Sequence, residues 1–298
     1  MSWRKKKQLE GHAGAIFSCA YDGKFLYTGS ADKFVARWNL EEGIQDKFSI
    51  KFEQSIYALA IVNQNYLVVG LANGALHVFD LHERLEKHYF TQHTKAIFSI
   101  KLNVLKNQLY VGDADGNLSV WDTSSFKLLI YLPLDVGKIR DIAVNKDGSQ
   151  FVLACQDGTF RMFETAFFNE IGTQQAHEGG TTSVLFHPND ESILITGGKD
   201  ALLASWDLKS LRKLNSQPAH NFAIYSIVTN TTGNCIITGS RDKTIKIWTP
   251  QLAFIQRLDL KEGGHRHSVN KVLILADNEL VSISDDGRII VWDSGDNF

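Results

Sequence analysis

Residues 236–248 of the chain read IITGSRDKTIKIW. An apolar pair opens this stretch, Gly239 lies three residues before Asp242, and apolar and polar residues alternate from Thr244 to Trp248. Alternation with a period of two, bounded by a turn rich in Gly, Ser and Asp, is typical of antiparallel strands joined by a tight turn. The stretch therefore predicts two adjoining strands of a small sheet.

The spacing between Asp242 and Trp248 recurs throughout the 298-residue chain. In seven segments an Asp or Asn precedes a Trp or Phe by six residues, and the segments follow one another every 41 to 44 residues. They are residues 32–38, 73–79, 115–121, 157–163, 200–206, 242–248 and 286–292. Recurrence at such a period indicates an array in which each repeat is one structural unit. Because no linker-like segment interrupts the array, we expect residues 1–298 to form a single domain.

A histidine precedes the Asp by 20 to 23 residues in five of the seven repeats. These histidines are His12, His93, His177, His220 and His265. Three of the repeat tryptophans are followed directly by Asp, as in Trp121-Asp122. A repeat of this length with His, then Asp, then Trp-Asp resembles the WD-repeat family, and the resemblance covers essentially the whole chain. It implies an all-β fold, a seven-bladed β-propeller of four-stranded antiparallel blades around a central channel.

The last repeat ends at Trp292 and leaves no room for a further strand. In the family, the N-terminal segment supplies the outermost strand of the last blade. We therefore expect residues 3–9 to close the ring against residues 286–293. Lys5, Lys6 and Lys7 then lie on an exposed edge, where lysines discourage edge-to-edge aggregation, and we favour that role over a nucleic-acid patch.

In the family, the His, a Ser or Thr on the second strand, the turn Asp and the Trp form a hydrogen-bonded tetrad. Carried over by position, the resemblance implies four complete tetrads: His12, Thr28, Asp32 and Trp38; His177, Thr196, Asp200 and Trp206; His220, Thr238, Asp242 and Trp248; and His265, Ser282, Asp286 and Trp292. Blade three keeps His93, Asp115 and Trp121 but has Val111 at the hydroxyl position, while blades two and four have Val69 and Leu153 there. A set that recurs at one fixed spacing is structural, whereas a hydrolase triad is a single constellation.

Composition excludes several classes of protein. The formal net charge is −2, so no global field draws the chain toward nucleic acid, and no apolar run is long enough to span a membrane. Three isolated cysteines, Cys19, Cys155 and Cys235, suit buried positions in a reducing compartment. One His-x-His pair, His265 and His267, is too weak a signal for a metal site. We expect a cytoplasmic protein without metal or cofactor that is monomeric on its own.

Two functions remain open. The first is a non-catalytic scaffold that binds a protein or peptide partner on the top face of the propeller. The second is a ligand-binding or enzymatic propeller with a site at the channel mouth, which would need a cluster of carboxylates or histidines at unrepeated positions. We find no such cluster in the sequence and favour the scaffold. RNA binding by the top face is a minor third option, because the chain lacks a basic excess.

The family also indicates which residues reach the top face. The residue about five positions after the repeat His points toward the channel opening, and the residue before the turn Asp or Asn also faces upward. The first set is Phe17, Tyr57, Phe98, Arg140, Thr182, Tyr225 and Asn270, and the second is Ala31, Ala72, Ala114, Gln156, Lys199, Arg241 and Asp285. Aromatic and Arg side chains on a concave surface are typical binding anchors. We therefore expect the partner site to comprise Phe17, Tyr57, Phe98, Arg140, Lys199, Tyr225 and Arg241, unless the aromatic residues merely plug the channel mouth.

Overall fold

The alternating segments form β-strands throughout residues 2–295, the part of the chain that a computed structural model describes. A single short 3-10 turn, Leu260–Glu262, interrupts them. The strands are β1 (Arg4–Glu10), β2 (Ile16–Tyr21), β3 (Phe25–Ser30), β4 (Phe34–Asn39), β5 (Ile44–Lys51), β6 (Ile56–Val62), β7 (Tyr66–Leu71), β8 (Leu76–Asp80), β9 (Leu85–Phe90), β10 (Ile97–Asn103), β11 (Gln108–Asp113), β12 (Asn117–Asp122), β13 (Leu128–Pro133), β14 (Ile139–Val144), β15 (Gln150–Cys155), β16 (Thr159–Glu164), β17 (Glu170–Gln175), β18 (Thr181–Phe186), β19 (Ile193–Gly198), β20 (Leu202–Asp207), β21 (Arg212–Pro218), β22 (Ile224–Thr229), β23 (Ile236–Ser240), β24 (Ile245–Trp248), β25 (Phe254–Leu258), β26 (Val269–Ala276), β27 (Glu279–Ser284) and β28 (Arg288–Asp293).

These strands assemble into seven four-stranded antiparallel sheets, one for each repeat. Blade one is β2–β3–β4–β5, and each later blade takes the next four strands up to blade six, which is β22–β23–β24–β25. The first strand of each blade contacts the first strand of the next, and β26 contacts β2, so the blades form a closed ring. The predicted all-β, seven-bladed propeller is confirmed.

Blade seven combines the two ends of the chain. Its strand order is β26–β27–β28–β1, with β1 antiparallel to β28 and Leu9 opposite Ile289. Closure by the N-terminal strand is therefore confirmed, with the strand displaced by one residue from the expected 3–9. Lys5, Lys6 and Lys7 lie on this outermost strand.

The N-terminal segment also holds the two neighbouring blades. Trp3 is 1% exposed and packs at the junction of blades six and seven. The backbone N–H of Trp3 donates to Oε1 of Gln256 at 2.7 Å, and Nε2 of Gln256 donates back to the backbone carbonyl of Trp3 at 2.8 Å. On the other side, Nζ of Lys7 donates to the carbonyls of Leu40 and Glu41 in blade one, at 2.9 and 2.8 Å. Three consecutive blades thus depend on this one segment.

The small residue three positions before the turn Asp has a packing role. At Gly29, Gly70 and Gly112 a Cβ atom would lie within 3.0 Å of an isoleucine in the first strand of the following blade. Those isoleucines are Ile56, Ile97 and Ile139. Because the glycines leave space, the branched side chains pack directly on the backbone of the preceding blade.

The four tetrad sets come together with one shared geometry. Histidine Nδ1 lies 2.7–3.1 Å from the Asp carboxylate, and Nε2 lies 2.7–2.8 Å from the Ser or Thr hydroxyl. The Trp Nε1–H donates to the same hydroxyl at 2.7–3.0 Å. The hydroxyl oxygen has two lone pairs and one hydrogen, so while it accepts from the indole it can donate to Nε2 of a neutral imidazole, with Nδ1–H donating to the carboxylate. Burial favours this neutral form in blade six, where it lowers the pKa of His220.

Blade three differs from the sequence-based assignment. His93 contacts Asp113 at 2.8 Å and not Asp115, which is exposed. The hydroxyl comes from Ser119, which lies 2.7 Å from Nε2 of His93 and accepts from Trp121 at 2.7 Å. The expectation that blade three lacks a hydroxyl is therefore wrong. The physical reason is strand pairing, because Ser119 lies directly across from Val111 on the adjacent strand.

Blades two and four replace the polar set with apolar residues. In blade two Phe52 lies 21 residues before Asn73 and packs with Val69 and Phe79. In blade four Val136 lies 21 residues before Asp157 and packs with Leu153 and Phe163. The His, hydroxyl and indole are lost together, and such a joint replacement by apolar residues can be nearly neutral in stability.

We predict that Trp3→Ala lowers the free energy of unfolding by about 3–5 kcal/mol, because it empties a buried site at the blade six–blade seven junction. Urea unfolding followed by circular dichroism measures the change. Phe167→Ala is the matched control, since Phe167 is 79% exposed, and it should stay within about 0.5 kcal/mol of wild type.

Deletion of residues 1–9 should lower both thermal stability and solubility, because it exposes the edge of β28. A truncated chain with an unchanged melting temperature would contradict closure by this segment.

In blade three, we predict that Asp113→Ala destabilises the protein by about 1–3 kcal/mol, because Nδ1–H of His93 loses its acceptor. Asp115→Ala should have little effect. The same contrast is expected between Asp242→Ala in blade six and Asn73→Ala in blade two. Urea unfolding measures the change in the free energy of unfolding for all four variants. Equal changes within either pair would contradict a stabilising role for the tetrad.

The pH dependence of stability should report the tetrad carboxylates. Burial raises the pKa of Asp286, but the hydrogen bond and charge of His265 and the amides of Arg266 and Arg288 outweigh it and lower the pKa to about 2. A depressed folded-state pKa contributes stability above the unfolded value, and the contribution is lost as pH falls through the folded value. Wild type should therefore lose about 1–2 kcal/mol from this group between about pH 4 and pH 2, since solvent screens part of the interaction. Asp286→Asn should lose less over the same interval, and an identical pH profile would contradict the assignment.

Candidate functional site

The first strands of the seven blades surround a central cavity of about 860 Å³. The top face carries the loops that join the fourth strand of one blade to the first strand of the next, together with the turns between second and third strands. The cavity lining runs from the starts of the first strands to the connections between first and second strands, where Lys146, Pro188 and Thr232 contribute. Phe17, Tyr57, Phe98, Arg140 and Tyr225 line this cavity, and so does Asn270. The structure thus brings together five of the seven residues expected to bind a partner.

Three aromatic rings from blades one to three form a continuous arc at the mouth. Phe17 and Tyr57 have ring centroids 4.8 Å apart, and Tyr57 and Phe98 have centroids 5.0 Å apart. Contacts of this kind contribute to stability beyond the buried area alone. All three side chains remain half-buried, so the rings support one another and still present surface to solvent.

Arg140 of blade four continues the arc. Its guanidinium carbon lies 5.1 Å from the Phe98 ring centroid and 5.8 Å from that of Tyr225 in blade six. Burial lowers the pKa of Arg140, and the nearby Tyr225 raises it. Nζ of Lys138 lies 5.0 Å from the Phe98 centroid, so two cations flank this ring.

Lys199 and Arg241 extend the basic sector outward. Lys199 is exposed and lines a cavity of about 120 Å³ together with Lys138, Arg140 and Gln156. Arg241 is also exposed, and its guanidinium carbon lies 5.8 Å from the ring of Phe222. Positive charge therefore occupies the top of blades four to six beside the aromatic arc of blades one to three.

The two remaining residues of the upward-facing ring serve local roles. Thr182 is buried, and its hydroxyl lies 3.0 Å from the carbonyl oxygen of Gly197 and 2.5 Å from that of Ile224, which share its one hydrogen. Asn270 donates from Nδ2 to the carbonyl of Ile16 at 2.8 Å and to Oδ1 of Asp285 at 2.7 Å. Thr182 leaves a gap in the arc at blade five, which Arg140 bridges toward Tyr225.

Phe222 is a top-face residue that the sequence reasoning missed. It is 55% exposed and lies two residues after the repeat histidine His220. At the same offset the other His-bearing blades have Gly14, Lys95, Gly179 and His267. The sequence could have indicated Phe222, because this position holds a bulky apolar residue only in blade six and a small or polar residue in the other His-bearing blades.

Two further findings concern the described residues. Between residues 2 and 295, no set of three or more His, Cys, Asp or Glu side chains is grouped so that it could hold a metal ion. In the same part of the chain, no helix combines the length and the apolar character that crossing a membrane requires.

Comparison with known proteins agrees with a propeller built from repeats. The family model described as WD domain, G-beta repeat matches residues 3–39, 168–207, 210–249 and 257–293, together just over half of the chain. A second model, described as LRRK2 beta propeller, matches residues 27–142.

Individual relatives are distant and mostly larger. The chain is 24% identical to the 66 kDa stress protein of Physarum polycephalum over 96% of this chain and 47% of that protein. It is 26% identical to Cell division control protein 4 of Saccharomyces cerevisiae over 98% of this chain and 37% of that protein. It is 22% identical to WD repeat-containing protein 55 of Rattus norvegicus over 83% of this chain and 64% of that protein. The chain spans less than two thirds of the length of each of these relatives. From the matched repeats and the seven-bladed ring, we conclude that the chain belongs to the WD-repeat family.

Proposed function

We propose that the chain is a non-catalytic scaffold that binds a protein or peptide partner on its top face. WD-repeat propellers typically act as protein-interaction scaffolds, which supports this class of function. The observation that carries the proposal for this chain is the half-buried arc of Phe17, Tyr57 and Phe98 beside Arg140. Aromatic and Arg side chains dominate the energetics of protein interfaces.

The arrangement of charge indicates the chemistry of the partner. An apolar sector on blades one to three lies next to a basic sector formed by Lys138, Arg140, Lys199 and Arg241. A peptide with a hydrophobic anchor and an acidic end complements both sectors. Because the rings are fixed by contact with one another and the backbone by strand pairing, little side-chain entropy is lost when a partner docks.

The cysteines indicate the cellular compartment in which the scaffold would act. Cys19, Cys155 and Cys235 are buried and form no disulfide, which suits a reducing compartment such as the cytoplasm. We propose that the protein acts there and is monomeric until its partner binds. Size-exclusion chromatography with light scattering of the purified chain tests the monomeric state.

Affinity capture from a native lysate, with quantitative mass spectrometry, tests the top-face site. Phe17→Ala, Phe98→Ala, Phe222→Ala and Arg241→Glu should each reduce recovery of the partner by about tenfold or more. Phe167→Ala on the exposed turn between β16 and β17 and Lys47→Glu on the outer strand β5 are matched controls that should retain it. Thermal melts establish that every variant folds. If folded top-face variants recover the same partner at the wild-type level, the binding surface lies elsewhere on the propeller.

A further inference from the structure

The central cavity contains charged side chains that do not follow the repeat. Lys101 extends from β10 of blade three, and Lys271 extends from β26 of blade seven. At the position of Lys101 the neighbouring blades have Ala20, Ala60 and Ala143, and at the position of Lys271 four blades have Ser18, Ser99, Ser183 and Ser226. At the position of Lys101, blades five to seven have Leu185, Val228 and Leu273. No other blade is charged there, and the alanines of blades one, two and four leave room in the channel.

The carboxylate of Asp141 lines the cavity with these lysines, and both of its oxygens already accept hydrogen bonds. Oδ2 of Asp141 accepts from Oγ of Ser183 at 3.0 Å and from the amide of Val184 at 3.1 Å. Oδ1 accepts from the amide of Ile142 at 3.0 Å. These bonds tie blade four to blade five. Asp141 thus serves the blade junction, and its charge offsets only one of the two ammonium groups.

Lys101 and Lys271 line the same cavity, together with Asp141. Enclosure by the surrounding blades lowers the pKa of Lys101, the charge of Asp141 raises it, and the charge of Lys271 lowers it. Within residues 2–295 neither lysine makes a hydrogen bond or an ion pair within 4 Å. Lys101 is exposed to solvent and Lys271 is half-buried, so water hydrates both ammonium groups. The cavity lining contains four Lys or Arg side chains and two carboxylates, and it therefore carries a net positive charge.

We propose that the channel binds a small phosphate-bearing anion between Lys101 and Lys271, in the same cavity as the aromatic arc but farther along strand β10 than Phe98. Lysine ammonium groups are compact charges that commonly bind phosphate. The cavity volume of about 860 Å³ falls in the range of small-molecule sites. One phosphate dianion would neutralise the charge of both lysines, while Asp141 remains in its hydrogen bonds to blade five. Free inorganic phosphates and organic phosphates share this chemistry.

Isothermal titration calorimetry at constant ionic strength tests the site, with inorganic phosphate, inorganic pyrophosphate and glucose 6-phosphate as separate probes. Wild type should bind at least one probe saturably with one site per chain. Preference for an inorganic probe indicates a free phosphate as the ligand, and preference for the sugar phosphate indicates an organic one. Lys101→Met and Lys271→Met, which keep side-chain length and remove the charge, should each weaken binding by about tenfold or more.

Lys47→Met is the matched control, because Lys47 is exposed on the outer strand β5, and it should bind the probe as wild type does. Lys101→Arg should keep measurable binding. Thermal melts without ligand show whether each variant folds, and the two Met variants provide independent tests if one of them does not. Absence of saturable binding to all three probes, or unchanged affinity in both folded Met variants, overturns the proposal. Partner capture by the same variants is a separate readout and leaves the top-face proposal unaffected.

Discussion

The pairing of β1 with β28 is the interaction on which the rest of the structure depends. Each blade buries its faces against the neighbouring blades, so an open ring would leave an apolar face without a partner at each end. Leu9 of β1 and Val291 of β28 lie in the same buried cluster as Trp38 of blade one. The pairing of the chain ends therefore completes the core shared by blades seven and one. Trp3 adds a second attachment toward blade six through Gln256.

A closed ring fixes the position of residues that lie far apart in the sequence. Phe17 and Tyr225 are on opposite halves of the chain, yet both line the mouth of one channel. The repeated residues hold the blades, and the unrepeated ones differ from blade to blade at equivalent positions. The aromatic arc, the basic sector and the channel lysines all belong to this second group, which is where a specific function can reside on a common fold.

The fold could be predicted from the sequence because the repeat signals are local and recur seven times. The tetrad of blade three could not, because its hydroxyl comes from the third strand of the blade, across from the position on the second strand that supplies it in the other tetrads. Ser119 faces Val111 through strand pairing, and the consensus spacing selected Asp115 although Asp113 contacts His93. At the top face, position in the repeat placed Phe98 and Arg140 at the mouth. It could not show that Arg140 reaches across blade five toward Tyr225, because that contact depends on the conformation of a long side chain.

Site-specific photo-crosslinking measures most directly which face of the ring meets the partner. A photoreactive amino acid can be placed at Ala72 or Lys199 on the top face, and at Phe167 on the opposite face between β16 and β17. The chain is then irradiated in a native lysate, and the crosslinked proteins are identified by mass spectrometry. The account predicts that one partner is crosslinked from both top-face positions and not from Phe167. Crosslinking of that partner only from Phe167 would contradict it.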